Sequence, residues 1–131
     1  MRLLLDTHAF LWTISEVSRL PPLARRTIED KSNQVFVSAV SLWEISIKVR
    51  IGKLRLGWDD DLVTAATNAG IETLPLTPEE AASYGDLAEP SHKDPFDRML
   101  IWQAINRKLV LVSGDSTFKR FESDGLALLW D

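Results

Sequence analysis

Cysteine is absent from this chain. That excludes a disulfide framework and any metal site built on thiolates, and it makes a reducing compartment the natural setting. A long apolar run is lacking as well, because Asp6 and His8 interrupt the opening MRLLLDTHAFLW before it reaches the length of a signal or a membrane span. The chain also has no excess of positive charge. With 15 Lys and Arg against 19 Asp and Glu the formal net charge is -4, which argues against holding nucleic acid by bulk electrostatics. Internal repeats, low-complexity tracts and linkers are missing too. The 131 residues, 45% of them apolar, suffice for one compact core and are short for two. The expectation is a single domain over residues 1–131, with no membrane segment and a cytoplasmic location.

What is present is an alternation of short apolar strands and helices. Residues 2–5 predict a buried strand and 7–14 an apolar helix. Pro21-Pro22 mark a break before an amphipathic helix carrying Leu23, Ala24, Thr27 and Ile28. Residues 34–37 predict a second strand, with Ser38 as the N-cap of a helix to about Ile51. Gly52 and Gly57 close that segment. A helix is expected over 60–69 and a third strand over 71–76. Thr77-Pro78-Glu79-Glu80 reads as a capped helix start with acids near the positive end of the dipole. After a loop over 88–93, Asp94 caps a helix that starts at Pro95 and reaches Asn106 or Arg107, almost unbroken in its apolar content. Residues 109–112, 116–121 and 126–130 predict a strand, a short helix and a fifth strand. Continuously apolar strands alternating with helices indicate an α/β fold in which helices cover both faces of a central parallel sheet.

In such a fold, sites form at the carboxyl ends of the strands. Asp6 follows the strand LLL, and Asp115 follows LVLV in the turn VSGDSTF. Each alone is a common cap or turn residue; together they share one edge. Glu44 sits in AVSLWEISIKVRI with Val40, Ile47 and Ile51 on its helical face, while Ser41 and Lys48 flank it on the other side. Asp97 in HKDPFDRMLIWQA shares a face with Leu100, Ile101 and Ala104. A carboxylate turned inward must be neutralised, paired or bound to a cation. Arg98 is the nearest basic group in sequence, and Asp94 fits the capping role better than Asp97 does. Four carboxylates brought together would repel one another. All-oxygen clusters of this kind suit Mg²⁺ or Mn²⁺ and the hydrolysis of phosphodiesters by metal-activated water.

LLLDTH, the glutamate of VSAVSLWEI, DPFDRMLIWQA and VSGDSTF occur in the order of the acidic signatures of a known family. Over essentially its whole length the chain resembles the PIN-domain nucleases, above all the VapC-type ribonuclease toxins of bacterial toxin–antitoxin pairs. The resemblance implies a Rossmann-like PIN domain, a Mg²⁺- or Mn²⁺-dependent endoribonuclease, a homodimer, and neutralisation by a cognate VapB-type antitoxin. Carried over by position, Asp6, Glu44, Asp97 and Asp115 match the family's acidic metal-binding set. Asp94, Thr7 and Ser113 are the supporting candidates beside it.

For RNA contact, the basic run Lys48, Arg50, Lys53 and Arg55 is the first candidate, with Lys119-Arg120 behind it, as phosphate-directed groups rather than base readers. His8 and His92 rank low, since hydrolysis through metal needs no histidine, although His92 is within reach of a phosphate contact. Trp12, Trp43 and Trp102 are expected in core or interface, and Trp58 is expected to be the most exposed tryptophan. Two rival classes remain. A phosphoaspartyl domain, receiver or phosphatase, fits poorly: Asp6-Thr7-His8 lacks a second aspartate two positions on, and the strand ending LPLT carries none. A non-catalytic interaction domain of PIN-like fold would use the acids merely as caps and bind no divalent ion.

Overall fold

The computed structural model describes residues 1–58 and 61–131. Five strands, β1 (Arg2–Leu5), β2 (Gln34–Ser38), β3 (Glu72–Leu74), β4 (Val110–Val112) and β5 (Ala127–Leu129), form one sheet. Every pairing is parallel, and the order is β3-β2-β1-β4-β5. The connecting helices are α1 (Thr7–Ser15), α2 (Pro22–Glu29), α3 (Ala39–Arg50), α4 (Leu62–Asn68), α5 (Pro78–Ser83) and α6 (Pro95–Arg107). Short 3-10 segments cover Val17–Arg19, Tyr84–Asp86 and Ser116–Asp124. This is the Rossmann-like α/β arrangement expected from the strand and helix patterns.

The apolar character of β1 follows from its place. Leu3 and Leu5 pack with Phe10, Val35, Val37 and Ile45 on one face, while Leu4 packs with Phe36, Ile101, Leu111 and Phe118 on the other. A central parallel strand is covered on both faces, so it has no solvent side on which to place polar residues. Chain order reverses here. From β1 the chain moves outward through β2 to β3, then crosses back to β4 on the far side of β1. The crevice between the carboxyl ends of β1 and β4 is therefore the topological switch point, where open α/β sheets bind ligands.

Local signals placed most boundaries. Ser38 Oγ accepts from Val40 N at 3.0 Å and caps α3. Thr77 and Glu80 form a reciprocal capping box at α5. Asp94 accepts from Asp97 N at 3.0 Å, with Pro95 following as the first helical residue. Three boundaries differ from expectation by more than the single residue seen at the ends of β4 and β5. The strand expected over 71–76 is confined to Glu72–Leu74 at the sheet edge, where Pro75 has no N–H to donate. Within the described residues the helix expected from residue 60 begins at Leu62, capped by Asp61 through Thr64 N; Asp60 itself lies outside the described residues. The segment after β4 runs as a 3-10 helix past Phe121 to Asp124 and is closed by Gly125 at a φ of 102°.

One internal network was not legible in the sequence. Gln103, fully buried within the apolar stretch of α6, accepts from Ser38 Oγ at 2.6 Å. Its Nε2 donates to Glu80 Oε1 at 3.0 Å and to Pro75 O at 3.2 Å. Arg107 closes the chain with donors 2.7 and 2.9 Å from the two oxygens of Glu80. Burial pushes the Glu80 carboxyl upward, but bonds from Arg107, Thr77 N and Gln103 outweigh it and hold its pKa at about 2. The network ties the start of α3 to α5 and α6, the helices behind the switch point.

Candidate metal centre

Strand register sets the first two carboxylates. Leu5 pairs with Val112, so Asp6 and Ser113 emerge side by side at the ends of β1 and β4. Asp6 N donates to Val112 O at 3.0 Å, and Asp6 Oδ1 caps α1 by accepting from Ala9 N at 2.8 Å. Asp6 is buried. Burial raises its pKa above 3.8, although the Ser113 hydroxyl, Ala9 N–H and His8 pull the other way. Ser113 also shapes the turn, because its Oγ accepts from Asp115 N at 3.1 Å. Asp115 is exposed and its Oδ1 receives both the amide and the hydroxyl of Thr117, at 2.9 and 2.6 Å.

Glu44 comes from α3 and is buried despite its charge. The Thr7 hydroxyl donates to Oε1 at 2.6 Å, and Ser41 Oγ lies 3.1 Å from the same hydroxyl. Lys48 Nζ, one helical turn on, sits 3.0 Å from Oε2. Thr7 is thus a positioning group for Glu44. Lys48, a candidate for RNA contact and also the i+4 neighbour of Glu44, is the counter-charge of this carboxylate in the cleft.

Asp97 enters from α6, half-buried. Burial raises its pKa, and the negative charges of Asp94 and Glu44 act in the same direction, while His92 opposes them. Its partner is not Arg98. The Arg98 guanidinium turns away to donate to Glu89 O at 2.6 Å, Leu87 O at 3.1 Å and His92 O at 3.1 Å, which braces the loop before α6. That loop delivers His92, whose Nε2 is 2.9 Å from Asp97 Oδ2 and whose ring meets Phe118 edge to face. The sequence gives His92 little weight, because a loop histidine two residues before a capping aspartate has no periodicity to place it.

Asp6, Glu44, Asp97, Asp115 and Asp94 all line one cleft of about 610 Å³, together with Thr7, His8 and Lys48. Among the described residues, donor atoms of His92, Asp97 and Asp115 lie within 4.8 Å of one another, close enough to share one cation. Asp6 and Glu44 line the same cleft. Hard oxygen donors with one imidazole, and two carboxyls whose charge burial disfavours, fit a hard divalent ion such as Mg²⁺ or Mn²⁺. Of the basic run, Lys53 and Arg55 line a second, neighbouring groove, whereas Arg50 lines neither. Lys119 and Arg120 also lie outside both. Trp43, expected in core or interface, is 59% exposed and so lies outside the core, while Trp58, expected to be the most exposed, is partly covered and its indole N–H is buried without an acceptor among the described residues.

Gly114 is required by packing in the cleft wall. A Cβ there would stand 2.6 Å from Trp130 Cε2, and Trp130 in turn lies against Trp12, ring centroids 5.9 Å apart. Gly114→Ala is expected to displace Trp130 and cost about 1–3 kcal/mol from overpacking. Urea unfolding beside the tryptophan emission spectrum checks it; unchanged values in both would show that the ring moves aside freely.

Comparison with known proteins gives the geometry its context. The chain is 26% identical over 132 residues to Ribonuclease VapC22 of Mycobacterium tuberculosis, covering 97% of each. Its fold superposes on the crystal structure of VapBC2 from Rickettsia felis bound to a promoter DNA fragment, with a TM-score of 0.70, 19% identity and full coverage of both chains. DNA-bound VapBC from Salmonella typhimurium follows at a TM-score of 0.67, 21% identity and coverage of 98% and 97%. The PIN domain family model matches residues 3–123, nearly the whole chain and every carboxylate of the cleft, so the chain belongs to the PIN domain family.

Proposed function

We propose that this chain is a VapC-type toxin: a Mg²⁺- or Mn²⁺-dependent endoribonuclease, folded as one PIN domain over residues 1–131, that acts in the cytoplasm and is neutralised by a VapB-type antitoxin. The observation that carries the reading is the convergence of Asp6, Glu44, Asp97 and Asp115 on one cleft at the switch point of the sheet. Its similarity to a protein named Ribonuclease VapC22, and its fold likeness to VapBC proteins, support the same conclusion.

Asp6, Asp97 and Glu44 are the groups to hold one or two divalent ions, and Asp115 with His92 completes the site beside Asp97. A Mg²⁺ or Mn²⁺ bound there supplies Lewis-acid activation of water and neutralises charge developing on the phosphate. The chain's own residues do the positioning. The α1 cap fixes Asp6, Thr7 and Lys48 orient Glu44, and the loop clamped by Arg98 sets His92 against Asp97. Burial leaves Asp6 and Asp97 with an unmet demand for positive charge, which a divalent ion satisfies more fully than a proton. No serine or cysteine nucleophile is needed, because water attacks phosphorus in line. A homodimer is proposed through the face where exposed Trp43 meets Phe96 edge to face at 5.1 Å.

The test is incubation of total RNA with purified, antitoxin-free protein in Mg²⁺ or Mn²⁺ and in EDTA. Discrete fragments formed only with metal are expected. Intact RNA together with no divalent-ion binding by calorimetry would move the chain to the non-catalytic interaction class.

A further inference from the structure

A second groove, of about 1000 Å³, runs along α1 beside the acidic cleft and shares Thr7, His8, Trp12 and Lys48 with it. Its outer wall is the loop after α3, which contributes Lys53, Arg55 and Trp58, while Arg19 closes the end beyond Trp12. The Arg19 guanidinium lies 4.7 Å from the Trp12 ring centroid. Among the described residues the wall carries one carboxylate, Glu16, which pairs with Arg19 at 3.5 Å. A chain with a net charge of -4 thus places cations and indole rings in a groove continuous with the cleft that would cut a phosphodiester.

We propose that this groove is the subsite for unpaired nucleotides flanking the scissile phosphate, with Lys53 and Arg55 on the phosphates and Trp58 as the platform for a base. The proposal rests on the nuclease reading for the direction of the strand, from the groove into the acidic cleft across Trp12. Cations and an aromatic ring lining one groove match a single strand, whose bases are free to stack. A duplex keeps its bases stacked on one another and offers the ring nothing. Leu11, Ile14, Leu54 and Leu56 line the same groove, and it is Lys53 and Arg55 beside them that favour an anionic strand over an apolar peptide. The basic run of the sequence is thereby divided: Lys53 and Arg55 serve the strand, Lys48 serves Glu44, and Arg50 stands outside.

The experiment measures binding of labelled oligouridine, and of an RNA duplex of equal length, to the full antitoxin-free chain in EDTA, where no cleavage occurs. Oligouridine should bind tighter than the duplex. Trp58→Ala should weaken it about tenfold, the effect of removing one stacking platform. Lys53→Ala with Arg55→Ala, both at exposed positions, should reduce the slope of log affinity against log salt by about 0.7 for each phosphate that is no longer neutralised. Those alanines read the groove even if Trp58→Ala does not fold. Wild-type affinity and slope in both variants, with metal-dependent cleavage intact, would overturn the subsite and leave the groove to a protein partner. Binding that depends on Lys53 and Arg55 without cleavage in Mg²⁺ would keep the subsite and overturn the nuclease reading instead.

Discussion

Asp97→Asn and Asp6→Asn are each expected to lower RNA cleavage on the order of a thousandfold, the scale on which a single electrostatic group at a reacting centre acts, while the metal-free protein becomes no less stable. The second half follows from the direction of the shifts. Burial raises both carboxyls above their ordinary 3.8, so between 3.8 and the raised value the folded state binds more protons than the unfolded state. Stability then falls as pH rises through that window, and at neutral pH each charge is a cost of folding. Asparagine removes the charge and keeps the hydrogen bonds: it caps a helix about as well as aspartate at position 6, and at position 97 it still accepts from His92 Nε2. The melting temperature in EDTA at pH 7 should therefore hold or rise. At acid pH, where the native carboxyls are protonated, the gain should vanish. Addition of Mg²⁺ should raise the melting temperature of the wild type by mass action and do much less for the variants. Wild-type cleavage in a folded variant, or a melting temperature that drops in EDTA, would refute the electrostatic account of the cleft.

Glu80→Ala carries the largest expected loss of stability, about 3–5 kcal/mol, because it takes the carboxylate partner from Arg107, leaves Arg107 and Gln103 with Pro75 O alone for those donors, and removes half of a capping box. That is a large share of the ~5–15 kcal/mol that holds a domain together. The pH dependence has the opposite sign to that of the cleft. With its pKa held at about 2 against an ordinary 4.5, Glu80 contributes about 3 kcal/mol at neutral pH. This contribution is complete above the unfolded value and is lost as pH falls through the folded one, with less than half left at pH 3. Urea unfolding at pH 7 and pH 3 checks the prediction, since the gap between wild type and Glu80→Ala should narrow at the lower pH. Replacing Glu80 and Arg107 together by methionine should recover much of the loss, because no buried charge is then left unpaired.

Much of the fold was legible because its signals are local. Apolar strands, the caps Ser38, Thr77 and Asp94, and the proline at position 95 act over a few residues of chain, and each formed where its chemistry placed it. Glu80 shows where that reading stops: as a first-turn acid it was correctly placed at a helix start, but its main partner lies 27 residues away in α6. Trp58 is less exposed than expected, and Trp43 stands outside the core, for a similar reason. An apolar helical context marks a residue as hydrophobic, and only the packing of α3 against α6 decides whether its ring is covered.

The sequence by itself determined the parallel α/β sheet, the strand ends from which Asp6 and Asp115 emerge, and the inward faces of Glu44 and Asp97, since strand pairing and helical periodicity follow from residue order. The tertiary structure alone decided the partners: His92 rather than Arg98 on Asp97, the Thr7 hydroxyl on Glu44, and Gln103 as the buried link from Ser38 to Glu80. Which donor meets which carboxylate depends on the directions of loops and helices packed from distant parts of the chain, and spacing along the sequence does not encode those directions.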